Sequence, residues 1–317
     1  MKEYICISCD KLYTEKTVPS DFVCKDSKCS GEGLTGFCIL REDTAEAPNT
    51  DEDNFSNSVM PPRECGLCVL LMDASGSMFQ DPAFKNTPFP SQYGDPFCSK
   101  AEVVSKAAAQ AIFELRQMTK AADAYVCAIK FDTRQALIFN DTVESIIALH
   151  QSPGQLARHL YDELKLFQGG TNITGALKMG HGFIKKFIEG KVPGMDNYTP
   201  QYDQQFIAAS NTWIDIPNVR LMIYTDGEQF ERYGAIKNPF SKEEIDLLMG
   251  AYVGEANEKG CIDLKTIIGK CPIHREQQFT LLDQPTKIAS LKGFFRMASG
   301  ASGFCPKCLV GEAVILR

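Results

Sequence analysis

A six-residue apolar run, Leu67 to Met72, ends abruptly in Asp73-Ala74-Ser75-Gly76-Ser77. The run has the length of a strand and no polar alternation, so both of its faces must be covered. That is the pattern of a strand inside a parallel sheet flanked by helices. One carboxylate and two hydroxyls then stand at alternate positions of the loop leaving the strand. Gly76 is expected to let the backbone turn tightly so that the oxygens converge. Hard oxygens gathered at the carboxyl end of a sheet strand suit a divalent cation.

The same pattern returns downstream. Val219 to Tyr224 is apolar and ends in Thr225-Asp226-Gly227-Glu228, and a glycine-threonine loop, Gly169-Gly170-Thr171-Asn172-Ile173, lies between the two. Ser99 with Glu102 reads as a capping box opening a helix with Val104, Ala107, Ala108, Ala111, Leu115 and Met118 on one stripe. Tyr125 to Phe131 reads as a buried strand and Ala136 to Phe139 as an edge strand beside it. Ser152-Pro153 opens a helix to Phe167, and Thr174 to Ile188 forms another. Ser241 with Glu244 is expected to cap a helix to about residue 258. A strand over 262–268, a helix over 286–299 and a closing strand over 310–316 follow. This alternation predicts an α/β fold with a doubly wound, mostly parallel sheet.

Two long segments interrupt the alternation. Residues 79–98 carry four prolines and four phenylalanines; they form either a partner surface beside the cation or a lid packed on the domain itself. Residues 190–217 contain the only tryptophan, Trp213, and are expected at the end of the sheet opposite the cation, because they precede a strand. His150, His159 and His181 show no paired-ligand spacing and read as surface or hydrogen-bonded core histidines.

Asp73-x-Ser75-x-Ser77, Thr171 and Asp226, in that order, resemble the metal-ion-dependent adhesion site of von Willebrand factor A (VWA) domains. The resemblance covers residues 66 to 300 and implies the same doubly wound, Rossmann-like sheet. It also implies a Mg²⁺ or Mn²⁺ ion held by Ser75, Ser77 and Thr171, with Asp73 and Asp226 acting largely through water. A cation with few charged ligands keeps its Lewis acidity, and an open position can accept a carboxylate from a protein partner. The reading is therefore binding and not catalysis. A metal-dependent hydrolase would need a general base nearby, and Glu228 is the only carboxylate to nominate.

Thirteen cysteines add a second theme. Cys6-x2-Cys9 and Cys24-x4-Cys29, fourteen residues apart, match a four-cysteine zinc site of ribbon type within residues 1–40. So short a segment cannot bury a core, and the metal would supply most of its folding energy. Cys38 could replace Cys29 or be a buried thiol. Residues 41–62 form a linker with six acidic residues against one arginine. Asp51, Glu52 or Asp53 could reach the cation site of a neighbouring molecule. The main domain runs from 63 to 317, and Cys68 reads as a core thiol.

A second Zn²⁺ has several candidate ligands. Cys271-Pro-Ile-His274 and Cys305-Pro-Lys-Cys308 together make a three-cysteine, one-histidine set. With 262–268 as a strand, however, Cys271 falls at the cation end and Cys305 at the far end. Cys305 and Cys308 would then pair with Cys261, Cys65 or cysteines of the ribbon.

Net charge is −7 and charged residues make up 23% of the chain, which disfavours a general electrostatic grip on nucleic acid. No apolar run reaches the length of a bilayer span, and the first residues lack a signal-peptide core. The expectation is a cytoplasmic protein with no membrane partner. The nearest resemblance within the family is to bacterial TerY-like VWA proteins, which implies a scaffold in a stress-response or conflict system with a kinase or phosphatase partner. Here, though, the ribbon precedes the VWA segment. The alternative is a zinc-ribbon nucleic-acid factor that uses the VWA segment for assembly.

Overall fold

The computed structural model describes residues 63–84, 88–116, 124–195, 197–207, 212–242, 244–271, 274–284 and 287, with three short strands nearer the N-terminus. Those strands are β1 (Glu3–Cys6), β2 (Leu12–Thr14) and β3 (Cys38–Arg41). They form an antiparallel sheet in the order β2-β1-β3, whose register sets Cys6 opposite Cys38. Cys9, Cys24 and Cys29 lie outside the described residues, as do the segment 42–62, the expected elements over 286–299 and 310–316, and Cys305 and Cys308.

The main body is built on β4 (Arg63–Asp73), β5 (Ala124–Phe131), β6 (Gln135–Thr142), β10 (Val219–Thr225), β11 (Leu248–Val253) and β12 (Phe279–Leu282). Their order is β12-β11-β10-β4-β5-β6. Every pairing is parallel except β5 with β6, the antiparallel edge. After β6 the chain crosses to the other side of β4. The carboxyl ends of β4 and β10 therefore form the switch point of the sheet, where open α/β sheets place their ligands.

Helices cover both faces. The helices α1 (Ser77–Gln80), α2 (Lys100–Leu115), α3 (Val143–His150) and α4 (Pro153–Lys165) lie on one face. There Cys68, Leu70 and Met72 of β4 meet Val104, Ala108 and Leu160. The opposite face carries α5 (Ile173–Ile188) and α6 (Lys259–Ile267), where Leu67, Val69 and Leu71 meet Ala176, Leu177 and Leu264. Successive residues of β4 thus enter opposite cores, the physical reason its sequence is apolar without alternation. The fold class is the expected one: α/β, doubly wound and mostly parallel.

The local expectations hold from β4 to β10 and fail between residues 245 and 268. Ser99 does cap α2, accepting the Glu102 N–H at 3.3 Å. Ser152 caps α4 with proline in its first turn. Ser241 and Glu244 exchange the two bonds of a capping box, yet only a single 3-10 turn, Ile245–Leu247, follows before β11 begins. Residues 262–267 of the expected strand over 262–268 belong instead to helix α6. Leu248 to Val253 is apolar on both faces and buried throughout, a run whose period cannot separate strand from helix. In α6 the buried Cys261 and Leu264 recur at three-residue spacing, followed by Ile268, the mark of a one-faced helix. The segment FTLL of β12 is a strand that the sequence pattern did not single out.

Residues 197–217 supply β7 (Tyr198–Pro200), which pairs parallel with the start of β4, and the antiparallel hairpin β8 (Tyr202–Ile207) and β9 (Thr212–Pro217). They sit at the amino ends of β4 and β10, opposite the switch point, as expected. Trp213 is exposed there. His181 is a buried, satisfied core histidine whose Nε2 lies 3.1 Å from Glu244 Oε2. His150 and His159 stack on each other, rings 4.8 Å apart, a pairing their sequence spacing did not suggest.

Candidate metal centre

Three loops at the carboxyl end of the sheet bring the predicted oxygens together. Asp73 ends β4 fully buried, and its Oδ1 accepts the Ser75 N–H at 2.8 Å. Ser75 Oγ and Ser77 Oγ lie 3.1 Å apart. The Ser77 hydroxyl donates to Asp226 Oδ1 at 2.8 Å, across 149 residues of chain. A Cβ built on Gly227 would stand 2.7 Å from Thr171 Oγ1 and 3.7 Å from Asp73 Oδ2, which places the threonine hydroxyl beside the same carboxylate. Asp73, Ser75, Thr171 and Asp226 are all buried, and Ser77 is partly so. Gly76 has φ −57° and ψ −36°, ordinary helical values. Its expected conformational role is therefore not the reason for the turn.

The loops are fastened to one another by main-chain bonds. Gln168 N–H donates to Ala74 O at 2.8 Å, Gly76 N–H to Gly169 O at 3.1 Å and Phe230 N–H to Thr171 O at 2.8 Å. Asp132, at the end of β5, organises the threonine loop. Its carboxylate accepts the Gly169 N–H at 3.0 Å and the Arg134 N–H at 2.7 Å, while its carbonyl accepts the Asn172 N–H at 2.9 Å. Burial pushes the Asp132 carboxyl up, but the Arg134 guanidinium and these N–H groups outweigh it and hold the group below the usual carboxylate range. A side chain at 169 would collide with Asp132 Oδ2 at 2.8 Å.

The electrostatics show what the cluster lacks. Burial and the Asp226 charge together push the Asp73 carboxyl up to about 7, against the pull of bonds from Thr225 and Ser75. The Asp226 carboxylate thus lies close enough to oppose the ionisation of Asp73. Lys100 Nζ, at the start of α2, reaches Asp226 Oδ2 at 2.6 Å, with the Asp226 side chain fully buried. Thr225 Oγ1 donates to Asp73 Oδ2 and accepts the Gly227 N–H. The Tyr224 hydroxyl is fully buried, feels the charge of both aspartates and has no hydrogen-bond partner among the described residues. The two carboxylates and three hydroxyls are a donor set that fits Mg²⁺ or Mn²⁺, hard cations that take oxygen ligands and retain water. Among the described residues no cluster of three or more His, Cys, Asp and Glu offers a transition-metal site.

Lys100, Asp132 and Thr225 went unrecognised in the sequence. Thr225 was legible in principle, since it directly precedes the second aspartate. Lys100 and Asp132 carry no local signal.

Glu228 is half-exposed and paired with Lys259 at 3.1 Å. The segment 79–99, where described, packs on its own domain and serves as a lid. Phe84 and Cys98 are buried, and Phe84 meets Phe89 edge to face at 6.4 Å. Glu102 is wholly buried, and its carboxylate accepts from Ser91 Oγ, Gln92 N–H and Lys106 in place of closing the capping box. Asp95 binds Tyr161 and Lys165. The exposed rim of the centre comes from the loop after β10: Phe230, half-exposed, and Arg232, whose guanidinium lies 5.4 Å and 4.7 Å from the Phe230 and Tyr233 rings.

The zinc candidates divide. Cys65 and Cys261 are buried in the apolar core, whereas Cys271 and His274 come together, with Sγ and Nδ1 3.7 Å apart.

No protein-family model matches the chain, and no curated relative matches. Solved structures resemble it loosely. The PilB minor pilin from Streptococcus sanguinis is 13% identical with a TM-score of 0.42, over 84% of this chain and 65% of that one. A von Willebrand factor type A protein from Catenulispora acidiphila is 12% identical with a TM-score of 0.39, over 75% and 43%. The conserved hypothetical protein BatB from Bacteroides thetaiotaomicron is 11% identical with a TM-score of 0.37, over 75% and 99%. Likenesses this distant carry no argument; the architecture rests on the strand order and register. Among the described residues no helix is long and apolar enough to cross a membrane.

Proposed function

We propose that this protein is a metal-dependent protein-interaction scaffold of VWA type, in which Mg²⁺ at the switch point accepts a carboxylate from a partner. Ser75, Ser77 and Thr171 hold the cation, and Asp73 and Asp226 support it from behind, largely through water. The observation that carries the reading is the buried Asp73–Asp226 pair, whose like charges Lys100 leaves incompletely neutralised. A divalent cation completes the neutralisation and leaves excess positive charge facing outward. The partner then presents an exposed Asp or Glu. Phe230 and Arg232 on the rim favour an acidic residue with apolar neighbours, through ring contact and the guanidinium.

Glu228, the carboxylate nominated as a general base, is held by Lys259 at 3.1 Å, which favours the reading of the centre as non-catalytic. The TerY-like resemblance supports an intracellular stress-response or conflict-signalling setting with a kinase or phosphatase partner, and the spacing of Cys6, Cys9, Cys24 and Cys29 supports a zinc ribbon.

The test is a Mg²⁺-dependent pull-down with wild type and Asp73→Ala. Partner retention should vanish with chelator and in the variant, with circular dichroism unchanged. Retention of the same partners by a folded Asp73→Ala protein would remove the adhesion reading.

A further inference from the structure

Lys100 stands where local rules place a lysine poorly. It is the first residue of α2, directly after the Ser99 cap, at the end of the helix whose unsatisfied N–H groups repel a cation. Its side chain is only 12% exposed, so the long stem has lost most of its rotamer freedom. The chain entering the helix is tied down on both sides. Ser99 accepts the Glu102 N–H and bridges to Pro82, and Ala83 N–H donates to Cys98 O at 2.9 Å. What offsets the poor position is Asp226. Its Oδ2 takes the ammonium at 2.6 Å while its Oδ1 takes the Ser77 hydroxyl at 2.8 Å, so one buried carboxylate links the lysine to a serine of the metal centre.

The neighbouring charges have their own partners. Asp132 is paired with Arg134 at 3.3 Å, Glu228 with Lys259 at 3.1 Å and Glu102 with Lys106 at 2.9 Å. Glu258 is linked to the centre through the Tyr252 hydroxyl, which also donates to Asp226 O, and it is partly exposed to water. Among the described residues this leaves Asp73, Asp226 and Lys100 enclosed together at the switch point, with one negative charge in excess. Unbalanced charge is costly where water is excluded, so each binding step is favoured as far as it brings the centre towards neutrality.

We infer that Lys100 couples the two halves of adhesion, making the cation and the partner's carboxylate bind as a pair. The inference rests on the function proposed above. With Lys100 in place, a divalent cation turns one excess negative charge into one excess positive charge, and a single carboxylate then brings the centre to neutrality. Without the ammonium, two aspartates and a divalent cation are neutral already, and an incoming carboxylate adds an unbalanced charge. Lys100 is thus a positioning residue that acts through Asp226. It weakens the hold on the metal alone and strengthens it when an acidic side chain arrives. By reciprocity it raises the partner's affinity by the same factor.

The test is calorimetric titration of the full chain with Mn²⁺ in chloride alone, with acetate or with acetamide, at one ionic strength. Acetate is the carboxylate probe and acetamide its neutral isostere. In wild type, saturating acetate should lower the Mn²⁺ Kd about fivefold, the lower end of ordinary coupling between sites, and acetamide should leave it unchanged. In Lys100→Met the acetate effect should shrink to about twofold or less, and in Lys100→Arg, which keeps the charge, it should persist. Acetate's own hold on Mn²⁺ is the same in every titration, so the ratio between proteins is free of it. An equal acetate effect in wild type and folded Lys100→Met would overturn the inference and leave the metal centre standing. Absence of any acetate effect in wild type overturns it too, whether or not the variants fold. Mn²⁺ binding that survives Asp73→Ala would instead remove the metal-centre reading beneath it.

Discussion

Replacing Lys100 with methionine separates charge from packing at the metal centre. Methionine keeps most of the apolar stem and removes only the ammonium. In the metal-free protein that ammonium is 2.6 Å from a carboxylate whose side chain is fully buried, and the lysine itself is 12% exposed. Breaking a buried pair by removing one partner leaves an uncompensated charge and costs about 3–5 kcal/mol. A divalent cation on the other side of Asp226 relieves the same charge. The variant should therefore be destabilised without metal and recover much of the loss when metal binds. By linkage, the recovered part appears as tighter binding, at about 1.4 kcal/mol per tenfold. Even half of the lower figure makes Mg²⁺ or Mn²⁺ bind about tenfold more tightly in Lys100→Met.

Calorimetric titration with Mn²⁺, together with thermal melts with and without Mg²⁺, reads both sides of this cycle. The expected pattern is a lower melting temperature without metal, a larger metal-induced rise and a smaller Kd. Equal or weaker metal binding in a folded Lys100→Met protein would refute the reasoning, because Lys100 would then not share the charge that the cation neutralises. Asp73→Ala is the control that should lose the binding altogether.

Two further predictions follow from the same geometry. Gly227→Ala places a methyl group 2.7 Å from Thr171 Oγ1; it should displace the threonine, weaken Mn²⁺ binding at least tenfold in the same titration, and cost about 1–3 kcal/mol in denaturant melts. The Asp73 carboxyl, raised from its ordinary 3.8 to about 7 in the folded protein, is favoured in its protonated form on folding, so metal-free stability from this group falls as pH rises from about 4 to 7. Metal requires the ionised form, so the Mg²⁺-induced rise in melting temperature should grow across the same window, and both trends should flatten in Asp73→Asn.

The oxygens of the metal centre were legible because their chemistry is local. A buried parallel strand must be apolar on both faces, and a polar burst at its end must lie where the strand leaves the sheet. Asp73, Ser75 and Ser77 stand out by that rule, whereas Thr171 and Asp226 joined them through the resemblance to VWA domains. The strand β4, the helices α2, α4 and α5, and the antiparallel edge β6 were legible for similar reasons of capping and period. Tertiary structure alone decided the rest. Residues 245–268 exchange their expected helix and strand because a short apolar run fits either until its neighbours are known, and Leu248–Val253 is taken up between β10 and β12. Lys100 and Asp132 acquire their roles from partners far along the chain, 126 residues in the case of Lys100 and Asp226. The Pro/Phe segment became a lid because buried Glu102 and Tyr161 hold it down. The placement of Cys271 with His274, away from Cys261 and Cys65, depends on which end of α6 each occupies, and that follows from the winding of the sheet and not from the spacing of cysteines.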